Sequence, residues 1–422
     1  MTSHSLLFWI ALGILVQLTA YLGMVFWRHW RAYKTLHMQK QGFNLNLGQD
    51  KSSWTEGITQ DTRLGFQTFR VDCKVVENAN QSICSFYLVP ENGQPLAPFL
   101  PGQYLTFSID LPTITGGTEQ IIRCYSLSDA PRPNCYRISI KRLYAPTGSE
   151  TLLPGRASNF FHDQVSVGSL LKVRLPSGHF HIDQSDAPVV LIGAGIGITP
   201  MLSMLIWILS NQPGREVWLF YGVRNGLEVI MKAHLEGLAI LHQNFHLRVC
   251  FSAPRPEDVY ESDYHHQGWV NINLLQAQLP PKSYHYFICG PTPMMENLVP
   301  ALEDWGVKDN FIHFEAFGPA SIKRRSSIED KPNKVGAVDI VVTFTESGKL
   351  VKWLPFASNL LEFAESNGVT LNSGCRAGSC GSCQTKLRSG EVTYQYPPDF
   401  DPEYGTCLPC VCVPKSSLIL EA

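Results

Sequence analysis

The chain has 422 residues, enough for two to four domains, and a content of 44% hydrophobic against 17% charged residues allows each of them a substantial core. With 34 Lys and Arg against 36 Asp and Glu the net charge is −2, so no basic excess exists to neutralise phosphates and nucleic acid is excluded as a partner. Of the twelve cysteines, Cys73, Cys84, Cys124, Cys135, Cys250 and Cys289 lie singly in apolar or strand-like stretches and read as buried thiols, while Cys375, Cys380, Cys383, Cys407, Cys410 and Cys412 crowd the carboxyl end.

The run 6–27, L-L-F-W-I-A-L-G-I-L-V-Q-L-T-A-Y-L-G-M-V-F-W, carries no formal charge. At about 1.5 Å per residue, one helix of that length crosses the roughly 30 Å hydrocarbon core of a bilayer. A cleaved signal peptide is the rival reading, but nothing basic precedes the run, it is too long, and no small-x-small cleavage site follows. Residues 1–30 are therefore expected to form an uncleaved, single-pass transmembrane anchor. Arg28, Arg31, Lys34 and Lys40 follow it, whereas the leading M-T-S-H-S has no Lys or Arg, which places the remainder in the cytoplasm by the positive-inside bias. Residues 31–66 read as a polar tether whose reach, on the order of 30 Å, lets the rest of the chain face partners in the same membrane.

From Phe69 the pattern turns to strands: R-V-D-C-K-V-V, I-C-S-F-Y-L-V, Y-L-T-F-S-I and Y-R-I-S-I, broken by Asn-Gly, Pro and Gly. Alternation of this kind predicts an antiparallel β-barrel over 67–184. A flavin site needs an aromatic face for the ring system, polar contacts for its edge, and a cation with backbone N–H groups for the phosphates. Two segments supply these: R-C-Y-S-L-S offers Arg123 for phosphate, Tyr125 for stacking, and Ser126 and Ser128 for polar contacts. G-R-A-S-N offers a glycine-started turn at Gly155 with Ser158 and Asn159 for a pyrophosphate. An edge strand carrying an exposed Arg is the plainer reading of the first segment.

At Ala187 the texture becomes alternating strands and helices, which predicts a parallel α/β sheet over 185–318 with a nucleotide at the carboxyl ends of its strands. P-V-V-L-I leads into Gly193-Ala194-Gly195-Ile196-Gly197-Ile198-Thr199-Pro200, a turn that can bring N–H groups to a pyrophosphate at a helix start. Gly193, Gly195, Gly197 and Thr199 are the candidate contacts; a tight strand-to-helix turn is the plain alternative. Arg224, just after the second strand, could meet an adenosine 2′-phosphate or be merely solvated.

The order of these landmarks carries more than any one of them. P-G-Q-Y at Pro101–Tyr104, then R-x-Y-S, then G-x-x-S, then the glycine loop, resembles the ferredoxin–NADP reductase superfamily from about residue 67 to 318. The resemblance implies an FAD- and NAD(P)-binding reductase. Cys289-Gly290-Pro291-Thr292-Pro293-Met294 resembles the family's C-G-P-x-x-M beside the nicotinamide, and Glu315-Ala316-Phe317-Gly318 its E-x-F-G, in which the aromatic covers the flavin face. By that likeness Ser126, Cys289 and Phe317 are the catalytic candidates, acting by geometry, and Cys289, Gly290, Pro291 and Phe317 join the cofactor contacts. G-R-A-S-N looks like the pyrophosphate turn of FAD members, which favours FAD over FMN. S-A-P-R-P after the third strand lacks the S-R pair of many NADPH-specific members, and NADH against NADPH stays open.

The charged, proline-bounded stretch 319–337 reads as a linker. Beyond it, over 338–422, a hairpin about Ser347-Gly348, a helix capped by Asn359 with Glu362 and ending near Gly368, a cysteine loop and a last strand S-L-I-L-E form the α+β, β-grasp arrangement of ferredoxins. C-R-A-G-S-C-G-S-C has the C-x4-C-x2-C spacing of plant-type [2Fe–2S] ligation, with Cys375, Cys380 and Cys383 as ligands. Disulfides fit badly, because three thiols in nine glycine-spaced residues are poorly placed to pair. Zinc, which thiolates also suit, is the second alternative, but its structural sites favour paired C-x2-C knuckles, whereas the first three thiols here follow C-x4-C-x2-C. Cys407, Cys410 and Cys412 are all candidates for the fourth ligand. The loop resembles that of plant-type ferredoxins, whose last ligand sits in L-x-C-x-x-x-P, and that likeness selects Cys410.

A nicotinamide gives up two electrons as a hydride and a [2Fe–2S] cluster takes one, so a flavin is needed to divide the pair. The whole chain is thus multidomain and resembles reductases of the phthalate dioxygenase reductase type with an added membrane helix. That likeness implies electron flow from NADH or NADPH through FAD and a [2Fe–2S] cluster to an external acceptor. The helix favours a membrane-associated oxygenase, hydroxylase or desaturase as that acceptor. A respiratory-type NADH:quinone oxidoreductase subunit and a non-enzymatic redox sensor are the alternatives.

Overall fold

The computed structural model describes residues 65–113, 116–145, 154–317, 340–354, 357, 359–374, 376, 378, 381–394, 398 and 400–422, together with residue 17. The expected membrane run 6–27 apart from residue 17, nearly all of the tether and the linker 319–337 lie outside the described residues, as do Cys375 and Cys380. Among the described residues no helix is long and apolar enough to cross a membrane. Every element below belongs to the compact unit Thr59–Ala422.

Six antiparallel strands come first: β1 (Gln67–Val76), β2 (Ile83–Pro90), β3 (Tyr104–Pro112), β4 (Thr118–Ser126), β5 (Tyr136–Lys141) and β6 (Leu170–Ser177), in the order β4-β3-β6-β1-β2-β5. The four strands expected from sequence are all present. β4 and β6, which the alternation marked less clearly, complete the sheet. A bridge between Leu127 and Ile138 joins its two edges, so the sheet curls shut and leaves no unpaired strand to aggregate. Phe69, Val71, Phe86, Leu88, Leu105, Phe107, Ile138, Ile140 and Val173 fill the interior, because every second residue of each strand points inward. Helix α1 (Arg156–Asp163) lies between β5 and β6 and closes the barrel with Phe161, whose ring meets Phe86 and Phe107 edge-on at 5.4 Å.

The next unit alternates: β7 (Val189–Ala194), α2 (Ile198–Asn211), β8 (Val217–Val223), α3 (Lys232–Leu241), β9 (Phe245–Phe251), β10 (His266–Gln267), α4 (Ile272–Gln278), β11 (His285–Gly290), α5 (Thr292–Asp304) and β12 (Ile312–Ala316). Its strands are parallel and run β10-β9-β8-β7-β11-β12. The continuous apolar run Val189–Ile192 is wholly buried because helices cover both faces of a parallel sheet. Strand order reverses at β7, between β8 and β11, and the glycine turn leaves β7 at that point. Ser203 of α2 donates to the Asp129 carbonyl at 2.7 Å, tying this sheet to the barrel.

The carboxyl-terminal unit contains β13 (Val341–Phe344), β14 (Lys349–Lys352), α6 (Leu360–Ser366), β15 (Thr385–Ser389), β16 (Val392–Tyr394), β17 (Thr406–Cys407), β18 (Cys412–Pro414) and β19 (Leu418–Leu420). The order β14-β13-β19-β15-β17, with β13 and β19 parallel and the other pairs antiparallel, is the expected mixed sheet. Asn359 caps α6 by accepting from the Glu362 N–H at 2.9 Å. The helix then stops before Gly368, which takes a φ of 69°.

Candidate functional site

The parallel register sets Gly193, Cys289 and Glu315 side by side on β7, β11 and β12. Side chains at paired positions of adjacent strands share a face, so the thiol and the carboxyl are neighbours. Cys289 is wholly buried, and burial together with the adjacent Glu315 pushes its thiol far above the ordinary range. Burial also raises the Glu315 carboxyl to about 8. Ser126, brought in at the end of β4 with only 5% exposure, comes close enough to offset part of that rise. Neither Ser126 Oγ nor Glu315 Oε2 has a well-aligned hydrogen-bond partner. Buried polar atoms left in this state are rare, and here the two residues are neighbours of each other. Phe317, two residues beyond Glu315, is 45% exposed at the same strand end.

Glu315, which the sequence placed only as the first letter of E-A-F-G, is a buried acid of this cluster. Its signals were a lone acid in the strand I-H-F-E-A, two residues before Phe317, and its place in E-A-F-G. Because its carboxyl holds a proton in the fold that the unfolded chain has released, stability falls as pH rises from about 4.5 to about 8 and is level above that. The full step is about 4–5 kcal/mol. Thermal melts from pH 5 to 9 are expected to show a falling Tm in the wild type and a much smaller fall in Glu315→Gln. Equal slopes in the two proteins would refute the assignment.

The glycine turn is fixed by contact. A Cβ on Gly197 would lie 2.2 Å from the Cys289 carbonyl oxygen, and one on Gly193 would lie 2.9 Å from the Ile198 Cα. Gly195 differs, with a φ of 54° and open space where a Cβ would point. Thr199, expected as a ligand contact, is buried and donates from its hydroxyl to the Ile196 carbonyl at 2.9 Å. It closes the turn instead. Gly290 and Pro291 lie at the end of β11 and the start of α5, and a Cβ on Gly290 would meet Ala194 at 3.0 Å. The ends of β7 and β11 therefore pack closely against each other.

On the barrel, Tyr125 packs edge-on against Phe161 at 5.2 Å and Phe107 at 5.7 Å, and burial drives its phenol well above the ordinary range. Arg123 is exposed and donates to the Ile122 carbonyl at 2.7 Å. α1 follows Gly155 as its N-cap and has no side-chain cap, so its first-turn N–H groups have no side-chain acceptor at the cap. Gly155 N and Asn159 Nδ2 donate to the Leu143 carbonyl, Ser158 Oγ accepts from Leu143 N at 3.2 Å, and Asn159 Oδ1 is buried without a partner. Ser158 thus holds the approach to the turn as well as standing in it.

Ser128 departs from expectation. It is wholly buried inside the barrel, where its hydroxyl meets Ser139 Oγ at 2.9 Å and donates to the Arg137 carbonyl at 3.2 Å, while Arg137 Nε donates back to it. Arg137 in turn pairs with the buried Asp129. The structure does not bring Ser128 to the cluster of Ser126, Cys289 and Glu315.

In the carboxyl-terminal unit Cys383 and Cys410 are buried, with their sulfurs 3.1 Å apart. That exceeds the about 2.05 Å of a disulfide and suits two thiolates aimed at a common centre. The loop that carries Cys383 turns through positive φ at Arg376, Gly378 and Gly381. It is pinned by Arg376 pairing with Glu365 and by the Phe400 ring, which a Cβ on Gly381 would meet at 2.5 Å. Cys407 and Cys412 are wholly buried with their thiols against each other in the core. Of the three, it is the Cys410 sulfur that lies against that of Cys383.

Residues 191–299 match the Oxidoreductase NAD-binding domain family and residues 352–415 the 2Fe-2S iron-sulfur cluster binding domain family. The Flavohemoprotein of Bacillus thuringiensis subsp. konkukian (strain 97-27) is 39% identical over 257 residues, covering 61% of this chain and 62% of that protein. The chain thus spans about three fifths of the length of the curated relatives it matches. Among solved structures, the flavohem-like FAD/NAD binding domain of nitric oxide dioxygenase from Vibrio cholerae O1 biovar El Tor is 32% identical with a TM-score of 0.51, and covers 60% of this chain and 100% of that one. Phthalate dioxygenase reductase is 25% identical with a TM-score of 0.49, covering 86% and 100%.

Proposed function

The chain belongs to the ferredoxin–NADP reductase-like oxidoreductases, here with an NAD-binding domain and a 2Fe-2S domain in one polypeptide, and from that we propose that it is the electron-delivering reductase of an oxygenase system. The observation that carries the reading is the convergence of buried Ser126, Cys289 and Glu315 where the end of β4 on the barrel meets the ends of β11 and β12 of the sheet. The relative named as a nitric oxide dioxygenase makes oxygenase chemistry the acceptor class proposed here.

Bound FAD would take a hydride from the nicotinamide and release electrons singly, and a [2Fe–2S] cluster would carry them one at a time. Arg123, Tyr125 and the Gly155–Asn159 turn are the residues that would hold FAD, and the Gly193–Gly197 turn would take the dinucleotide pyrophosphate on its N–H groups. Cys289 fills the floor beneath the nicotinamide end, keeping water from the reacting face. Glu315 holds a proton at neutral pH, and Ser126 orients it. Phe317 stands exposed at the same edge, where it can cover the opening until the nucleotide enters. Cys383 and Cys410, with Cys375 and Cys380, would hold the cluster.

Anchoring through residues 6–27, with the catalytic units in the cytoplasm and a membrane-associated oxygenase or desaturase as acceptor, belongs to the same proposal. It rests on 22 uncharged residues followed by Arg28, Arg31 and Lys34. The test is an anaerobic titration of the full chain, loaded with FAD and iron–sulfur cluster, with reduced nicotinamide nucleotide. Flavin bleaching followed by a reduced-cluster EPR signal is expected. A spectrum that the nucleotide leaves unchanged would sink the reading.

A further inference from the structure

The carboxyl ends of β7, β8 and β9 form one rim. Cys289 on β11 marks the nicotinamide end and the glycine turn on β7 the pyrophosphate, so the adenosine half of the nucleotide extends the other way, over β8 and β9. The two segments leaving those strands are laced together: Ser252 N donates to the Val223 carbonyl at 3.0 Å and Ala253 N to the Arg224 carbonyl at 2.8 Å. Asp258 accepts from the backbone N–H groups of Gly226 and Arg255.

Each cation on this rim is already matched. Arg224 Nε donates to Glu228 Oε1 at 2.5 Å, and the other oxygen of that carboxylate takes Lys141 Nζ from the barrel at 3.3 Å. The Glu228 side chain is only 7% exposed whereas that of Arg224 is 69% exposed. Arg255 pairs with Glu257 at 3.1 Å, and Lys232 pairs with Asp263 and Glu236. An adenosine 2′-phosphate brings close to two negative charges and needs cations to receive them. To use Arg224 it must strip that guanidinium from a nearly buried carboxylate, and it must do so beside Asp258. A ribose diol needs neither, since a neutral hydroxyl can donate to a carboxylate.

We propose that Glu228, by holding Arg224 at the rim over the ends of β8 and β9, makes this chain selective for NADH over NADPH. The inference rests on the reductase reading above and names the nucleotide of the same site. The full-length holoenzyme is assayed by ferricyanide reduction with NADH and with NADPH. Its kcat/KM is expected to favour NADH by about 100-fold, mostly through KM, the size set by one neutralised charge contact. Glu228→Gln should narrow that ratio at least about tenfold, and Arg224→Ala added to it should restore the preference. Should Glu228→Gln fail to fold, the wild type decides alone: 5′-AMP is expected to compete with NADH at least as well as 2′,5′-ADP. Equal use of both nucleotides, a wild-type preference for 2′,5′-ADP, or a ratio that Glu228→Gln leaves untouched would each overturn the proposal. Reduction by neither nucleotide would instead overturn the reductase reading, and the selectivity with it.

Discussion

Cys410→Ser is expected to abolish the reduced-cluster EPR signal of the purified protein and to cut electron delivery to cytochrome c on the order of 100-fold, while NADH-driven ferricyanide reduction, which needs only the flavin half, survives. The reasoning is positional. Cys383 and Cys410 present their sulfurs to each other at 3.1 Å from the loop over α6 and from the segment before β18. Cys407 and Cys412, flanking Cys410 on either side, have their thiols against each other. Serine at 410 offers a harder, poorer ligand for iron at an unchanged position. Cys412→Ser is the contrast: it buries a hydroxyl in an apolar site, at a cost of about 1–3 kcal/mol, and is expected to keep the EPR signal. Retention of the signal in Cys410→Ser together with its loss in Cys412→Ser would move the fourth ligand to Cys412.

Gly197→Ala should be the most damaging single methyl group in the nucleotide-binding sheet. Its Cβ would fall 2.2 Å from the Cys289 oxygen, 2.5 Å from the Cys289 carbonyl carbon and 2.8 Å from Gly290 N. All three are backbone atoms of the neighbouring strand, so no side-chain rotation relieves the clash. Either the turn lifts away from β11 or β11 shifts, at about 3 kcal/mol or more. A shift of about 1 Å at Cys289 costs on the order of 100-fold in hydride transfer. Gly195→Ala separates the effects: its Cβ meets nothing, and the positive φ costs about 1 kcal/mol. That variant should melt close to wild type yet raise KM for NADH, because the added methyl stands where the pyrophosphate is expected. Urea melts and steady-state kinetics on both variants decide the matter. Near-wild-type stability and turnover in Gly197→Ala would refute the packing argument.

These expectations differ in how early they could be drawn. The C-x4-C-x2-C spacing and the G-x-G-x-G turn are written in consecutive residues, because a loop that wraps a cluster and a strand-to-helix turn are short-range constructions. The barrel strands were readable for the same reason, since alternation is a local property. Thr199 and Ser128 show where that reading stopped. Both sit in motifs rich in ligand-binding residue types, and both use their hydroxyls on protein atoms. For Ser128 the deciding partners are Arg137 and Ser139 on β5, which no spacing rule connects to it.

Glu315 and Glu228 make the same point from the other side. A single acid in a strand and a second in a loop are unremarkable as letters. Glu315 acquires its raised carboxyl only when the packed fold buries it, with Ser126 of the barrel offsetting part of the rise, and Glu228, which pairs with Arg224 four residues away, is held at its other oxygen by Lys141 of β5.

What the sequence determined by itself was the kind and order of the working parts: a charge-free leader, a barrel with a flavin-like turn, a parallel sheet with a glycine loop, and a thiol-rich end. What the tertiary structure decided was which polar groups gather at the strand ends and which satisfy one another. The physical reason is that a backbone turn depends on a few adjacent torsions, whereas the environment of a carboxyl or hydroxyl depends on the surfaces that distant strands press against it.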